Sequence, residues 1–214
     1  MMTEVYAIYG ASGCGRGIMP LAREQLGSAD NLYFIDDGPS APQINNQQIL
    51  SYQAFLALKA ERCYIAIAIA NSRVRERLAH KILADGCLPW SVSAKSAIIM
   101  DEVEIGEGAL LSPFTTITSN IHIGKYFHGN IGSYVEHDCV IGDFVTFAPR
   151  VACNGNIVIE DHVYIGAGAV IKQGTPDKPL VIGKGAVVGM GAVVTKSIPA
   201  EVTVVGNPAK IMDR

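Results

Sequence analysis

"VIGDFVTFAPRVACNGNIVIEDHVYIGAGAVIK", Val140 to Lys172, carries an apolar residue at every sixth place: Ile141, Phe147, Cys153, Ile159, Ile165 and Ile171. A helix repeats near 3.6 residues and a strand at two, so neither produces a period of six. The register holds upstream. Val135, Gly129, Ile123, Ile117, Leu111, Ile105 and Ile99 continue it, and only Gly129 lacks an apolar side chain. The place four after each mark is small or apolar, as at Val145, Val151, Ile157, Val163 and Ala169. Downstream, "QGTPDKPLV" breaks the step, which resumes at Ile182, Val188 and Val194. A hexapeptide repeat predicts a parallel β-helix, in which three hexapeptides make one triangular coil, residues 18 apart stack, and backbone hydrogen bonds run between coils.

The part before the repeat follows another pattern. "EVYAIYG", "NLYFIDD" and "CYIAIAIA" read as buried strands. "GRGIMPLAREQLG", "SYQAFLALKA" and "NSRVRERLAHKILADG" read as helices, with Ser51 and Asn71 as N-caps and Gly27 and Gly86 as stops. Pro20 restricts the first helix to a late or kinked one. Alternation of this kind predicts a small parallel sheet. The expected organisation is therefore an α/β domain over 1–88 and a β-helix over 89–214.

The 214 residues carry a net charge of -3, and 49% are hydrophobic against 17% charged. That balance fits a well-buried fold and excludes a nucleic-acid footprint. Five cysteines, an odd number without C-x-x-C spacing, read as free thiols of a cytoplasmic protein. The expectation is no signal peptide, no membrane partner and no metal cage, because no basic start or long apolar run occurs.

Three features point to chemistry. "GASGCGRG" follows the first strand, and Gly10, Gly13 and Gly15 with Ser12 make a turn that approaches a phosphate at a helix N-terminus. The order is G-x-x-G-x-G rather than the dinucleotide fingerprint. Asp36 and Asp37 end the second strand, where a carboxylate meets a ribose, so a mononucleotide or nucleotide-sugar is expected. His137 stands two places after the mark Val135, at an outward corner, between Glu136 and Asp138. A general base needs such a carboxylate partner. The pattern alone leaves both that role and a merely polar corner open. His80 reads as a surface residue, His122 and His128 as a structural ladder, and His162 as a solvated turn residue.

"IGEGAL", "IGAGAV", "IGKGAV" and "VGMGAV" resemble the left-handed β-helix of hexapeptide acyltransferases. The glycine turn, Asp36-Asp37, "AIANSRVRERL" and "HGNIGSYVEHDCVIGD", in that order, are similar to one subfamily. It comprises bacterial N-acetyltransferases of nucleotide-linked amino-sugars, of the bacillosamine and perosamine type. Sialic-acid-pathway O-acetyltransferases share the frame. The resemblance implies His137 as base, with Asp138 and Glu136 as its carboxylates. It implies Asn130 and Asn71 near the sugar. It departs at Cys14 and Thr146, where the family often has histidines.

The stacking rule puts Gly155, 18 residues on, over His137, with room for a thioester and an N–H for an oxyanion. The resemblance assigns Gly166, Ala167 and Met190 to the pantetheine arm of acetyl-CoA, and Pro208 and Lys210, in "VVGNPAKIM", to its adenine end. Lys172, Lys178 and Lys184 are candidates for its phosphates. The implied activity is direct acetyl transfer to the 4-amino group of a UDP-linked amino-dideoxy sugar for bacterial surface glycans or glycoproteins. The implied assembly is a homotrimer with sites between neighbouring β-helices. Alternatives are O-acetyl transfer, or a metal hydratase using His122, His128 and His137.

Overall fold

The computed structural model of the chain describes residues 4–38 and 41–212. The amino-terminal stretch read for a leader begins at Met1, and its first three residues lie outside the described residues. Two compact units meet between Ser93 and Ala94.

The first unit runs β1 (Glu4–Tyr9), α1 (Gly13–Leu26), β2 (Leu32–Ile35), β3 (Gln43–Ile44), β4 (Gln47–Leu50), α2 (Tyr52–Leu56), β5 (Arg62–Ile67), α3 (Ser72–Ala84) and β6 (Leu88–Pro89). The sheet order is β3-β4-β2-β1-β5-β6, parallel except for the β3–β4 hairpin. Three strands were expected and six form. β4 is half polar ("QQIL") and β3 and β6 are two residues each, so none shows a long apolar run. The hairpin turns on Asn45 and Asn46, with φ of 48° and 59°, the left-handed pair that fits the strand twist. Leu88–Pro89 pairs with β5, and Trp90 N donates to Ile65 O at 3.0 Å. These bonds tie residues 88–90 to the sheet of the first unit.

Two expectations are corrected here. Helix α1 starts at Gly13 and continues through Pro20, whose ring lies on the exposed face and away from the core side carrying Ile18, Met19 and Ala22. Cys63 and Cys87 are joined as a disulfide, with Cα atoms 4.8 Å apart. The parallel register sets Tyr64 opposite Leu88, which brings the preceding cysteines together although they stand 24 residues apart in the chain. Cys14, Cys139 and Cys153 are free thiols.

The second unit is a left-handed parallel β-helix of three sheets. Ile99, Ile117, Val135, Cys153, Ile171 and Val194 stack on one face. Ile105, Ile123, Ile141, Ile159 and Ile182 stack on a second. Leu111, Gly129, Phe147, Ile165 and Val188 stack on the third. Ile99 on the first coil is exposed, while from Leu111 onward the apolar marks fill one continuous core, against which Ile105 packs. Gly129 completes it without a side chain, because a Cβ there would meet Phe127 and Thr115 at 3.0 Å. The Phe127 ring occupies that space, edge-on to Phe147 at 5.2 Å. "QGTPDKPLV" forms a loop closed by a Thr175–Lys178 bridge, and the ladder resumes with Leu180 on Ile157.

Most corners turn through a left-handed residue. Asn120, Asp138 and Asn156 serve the corner after the first face, with φ of 58°, 59° and 56°. Tyr126, Phe144 and His162 serve the second corner, and Gly132, Arg150, Gly168 and Gly191 the third.

Candidate active site

In the first unit the carboxyl ends of β1, β2 and β5 carry the predicted nucleotide residues. β2 lies on one side of β1 and β5 on the other, so the chain reverses direction across the sheet beside β1. Ligands of open parallel sheets bind at such a switch point. Gly10 turns there with φ 109°, and a Cβ would meet Ile69 Cδ1 at 2.8 Å. Gly15 packs on the Gly10 carbonyl so closely that any side chain would strike it. Gly13 faces open space, and the exposed Ser12, the N-cap of α1, makes no capping bond with its side chain.

The aspartates are engaged locally. Asp36 Oδ2 accepts from Ala11 N at 3.3 Å, tying it to the glycine turn, and Oδ1 accepts from Gly38 N at 3.0 Å. Asp37 accepts from Tyr9 Oη at 2.5 Å and Tyr52 N at 2.8 Å. Burial alone would raise the Asp37 pKa; those two donors and Lys81 outweigh it and hold the group below the usual carboxylate value. Asn71 caps α3 through Val74 N at 3.0 Å. Sequence reasoning missed Arg75, fully buried, whose Nη1 donates to Ile69 O at 2.7 Å and fixes the loop facing Gly10. Burial pulls its pKa down to about 10. Burial also pushes the Cys14 thiol up, against the pull of Arg75.

In the second unit His137 is outward and half exposed. Its Nδ1 lies 2.7 Å from Asp138 Oδ2. The imidazole is thus held by Asp138 and not by Glu136. Gly155 lies directly against the ring: a Cβ there would come 2.6 Å from His137 Nε2. The Gly155 N–H takes no acceptor among the described residues. Asn130, expected near the sugar, donates through Nδ2 to Phe147 O at 2.6 Å. Asn154 makes the same inter-coil bond to Ile171 O at 2.7 Å while accepting from Tyr134 Oη at 3.0 Å.

The other histidines differ from expectation. His162 is buried, its ring stacked on Phe144 at 5.3 Å, which itself stacks on Tyr126 at 5.2 Å. At this corner the left-handed residues Tyr126, Phe144 and His162 stack their rings along the wall. His122 is exposed against Glu104 Oε2 at 3.2 Å, whereas His128 is buried on another sheet. Six residues separate faces and eighteen separate rungs, so these two form no ladder. Among the described residues no three metal-binding side chains gather. Thr146 is buried opposite His128 and Tyr164.

The coenzyme candidates fall on another corner. A Cβ on Gly166 would strike Met190 N at 2.5 Å, and Gly191 N donates to Ala167 O at 2.9 Å, so Gly166, Ala167 and Met190 stack after the third face. Met190 is 82% exposed. Pro208 and Lys210 line a cavity of about 280 Å³ with Thr195, Lys196 and Ser197. The last three also line a second cavity, of about 690 Å³, with Lys172, Thr175 and Lys178. Lys184 is elsewhere, paired with Asp161 at 3.2 Å.

An outward imidazole held by a carboxylate, under a side-chain-free position of a hexapeptide β-helix, defines an acyltransferase of the hexapeptide class. Residues 6–82 match the model of the PglD N-terminal domain, and 156–196 that of the hexapeptide repeat of succinyl-transferase. The chain is 49% identical, over 99% of its length and 97% of the relative's, to GDP-perosamine N-acetyltransferase of Escherichia coli O157:H7. It is 61% identical to the solved structure of WeeI from Acinetobacter baumannii AYE, covering 98% of this chain and 100% of that one with a TM-score of 0.96. It is 25% identical to the acetyltransferase domain of PglB from Neisseria gonorrhoeae FA1090, solved in complex with acetyl coenzyme A, covering 99% and 100% with a TM-score of 0.83. The chain belongs to the family of nucleotide-sugar N-acetyltransferases.

Proposed function

We propose that the protein transfers the acetyl group of acetyl-CoA to the 4-amino group of a nucleotide-linked amino-dideoxy sugar. The observation that carries this is His137 set between Asp138 and Gly155. His137 Nε2 takes the amine proton as the nitrogen attacks the thioester carbonyl, Asp138 supports the imidazolium, and the Gly155 N–H receives the oxyanion. The tetrahedral intermediate then expels the thiolate, which takes the proton from His137. The glycine turn, Ser12 and the Asp36 region receive the nucleotide.

The donor's path follows from the stacking. The corner of His137 and Gly155 leads, rung by rung, to Lys196, which is three coils or roughly 14 Å further at strand spacing. Lys172, Lys178 and Lys196 suit the coenzyme's phosphates there, and Pro208 and Lys210 adjoin them. Gly166, Ala167 and Met190 occupy a different corner of the same coils. A single β-helix therefore presents the base and the pantetheine wall on separate edges, which supports a homotrimer with each site shared between neighbours.

The sequence reading favoured a UDP-linked acceptor, and the E. coli relative is named for a GDP-linked one. The test is an acetylation assay with UDP- and GDP-linked 4-amino sugars beside their 4-hydroxy counterparts. Amide formation on one of the amino sugars is the expected result. Ester formation alone would establish O-acetyl transfer, and no turnover on any of them would overturn the reading. The absence of a membrane-crossing helix among the described residues suits soluble nucleotide-sugar chemistry in the cytoplasm.

A further inference from the structure

The carboxylate that holds His137 is itself held. While Asp138 Oδ2 meets the imidazole, its Oδ1 accepts from Asn120 Nδ2 at 3.3 Å. Asn120 stands 18 residues earlier, at the same corner position one coil below, with the same left-handed backbone. A backbone bond ties the two rungs, Asp138 N donating to Ser119 O, and Asn120 N is tied in the same way to Asp101 O on the coil below, each at 3.2 Å. We propose that Asn120 is a positioning residue: its amide fixes the plane of the Asp138 carboxylate, and through it the aim and tautomer of His137. This rests on the reading of His137 as the base.

An exposed aspartate with one oxygen engaged still rotates about its last side-chain bond. A donor on the other oxygen removes that freedom, so the imidazole is presented in one orientation rather than several. The donor is neutral, which leaves the full carboxylate charge to the imidazolium; a lysine there would draw on it. Among the described residues no other side chain donates to Asp138 Oδ1. Glu102, Glu104 and His122 share with Asn120 and Asp138 the lining of a cavity of about 440 Å³. Glu104 and His122 pair with each other, Glu136 precedes the base, and the Cys139 thiol points to the carbonyls of His137 and Asn154.

Asparagine also suits a left-handed turn, so the test must separate turn from amide. Asn120→Gly keeps the turn and deletes the amide. Asn120→Asp keeps turn and shape but replaces the donor with a second carboxylate. For the glycine variant kcat should fall about three- to tenfold, the size of one hydrogen bond, with both KM values and Tm unchanged. For the aspartate variant kcat should fall as well, and the acid limb of its pH profile should move up. The added negative charge favours the imidazolium, so the base stays protonated to higher pH.

His137→Ala is measured in parallel. If that variant is inactive and both Asn120 variants turn over like wild type, the positioning role is overturned. A loss that follows Tm, or appears only in KM, also overturns it and assigns Asn120 to the turn. An active His137→Ala would instead remove the underlying reading. Should the glycine variant fail to fold, the aspartate variant decides, and an unmoved kcat and acid limb overturn the role.

Discussion

Asp36-Asp37 in the first unit and His137-Asp138 in the second show two uses of adjacent polar residues. Each aspartate of the first pair accepts from backbone N–H groups, and Asp37 also from Tyr9. They shape the strand ends, so a nucleotide would meet mainly turn backbone and Ser12. His137 and Asp138 bond to each other and to Asn120, outward of a wall built from the core marks. The difference is one of support: a rigid repeat can leave its polar corner side chains for chemistry, whereas a short α/β sheet uses its own to close loops.

The sharpest way to break this comparison is His137→Ala. Turnover should fall by about two to four orders of magnitude, the usual size of general-base catalysis, with little change in acetyl-CoA affinity. Rates at saturating substrates and a calorimetric titration with coenzyme A check both parts. A variant with wild-type kcat would make the corner merely polar, like the aspartates of the first unit.

Gly155→Val comes next. Already a Cβ would lie 2.6 Å from His137 Nε2, so the side chain must displace the ring. Valine keeps the backbone N–H, so the loss comes from the displaced base and should be about 10²–10³ in kcat, within the range of general-base catalysis. The core mark Cys153 stays buried two places earlier, so Tm should hold. Normal activity would show that the Gly155 side of the ring is not where the thioester sits. A collapsed melting curve would mean the glycine serves the turn.

The role of His137 as base is what the family resemblance implies, whereas the stacking of Gly155 on His137 is legible in the sequence because the repeat fixes a period of 18. The same rule placed the marks from Leu111 onward in the core, with Gly129 in register, while Ile99 on the first coil is exposed. The same period sets Asn120 one coil below Asp138, and it puts His122 and His128, six apart, on different faces. His162 was misread because a turn usually means solvent, while this left-handed corner stacks its ring on Phe144. In the first unit little is periodic. β3 and β4 are short and half polar, the Cys63–Cys87 contact spans 24 residues, and Arg75 reads as one more charge on an amphipathic helix. Such features depend on tertiary register, which no local pattern carries.

The smallest effect should come from the aspartates, and it sharpens the contrast. Asp36→Ala removes the acceptor for Ala11 N and loosens the glycine turn, so the KM for the nucleotide-sugar should rise severalfold while that for acetyl-CoA stays put. Asp37→Ala leaves Tyr52 N and the Tyr9 hydroxyl without their acceptor and should cost about 1–2 kcal/mol of stability. It should add little to the KM effect when combined with Asp36→Ala. The pH dependence separates the two roles further. The folded-state pKa of Asp37 is depressed, so its contribution is present above the unfolded value near 4 and is lost as pH falls through the folded one. Wild type and Asp37→Ala should therefore differ in Tm at neutral pH and converge in acid. If they differ equally at every pH, the Tyr9–Asp37 bond does not depend on the ionised carboxylate. If instead Asp37→Ala raises the nucleotide-sugar KM with Tm unchanged, this carboxylate faces the ligand after all, and the first unit handles its polar residues as the β-helix does.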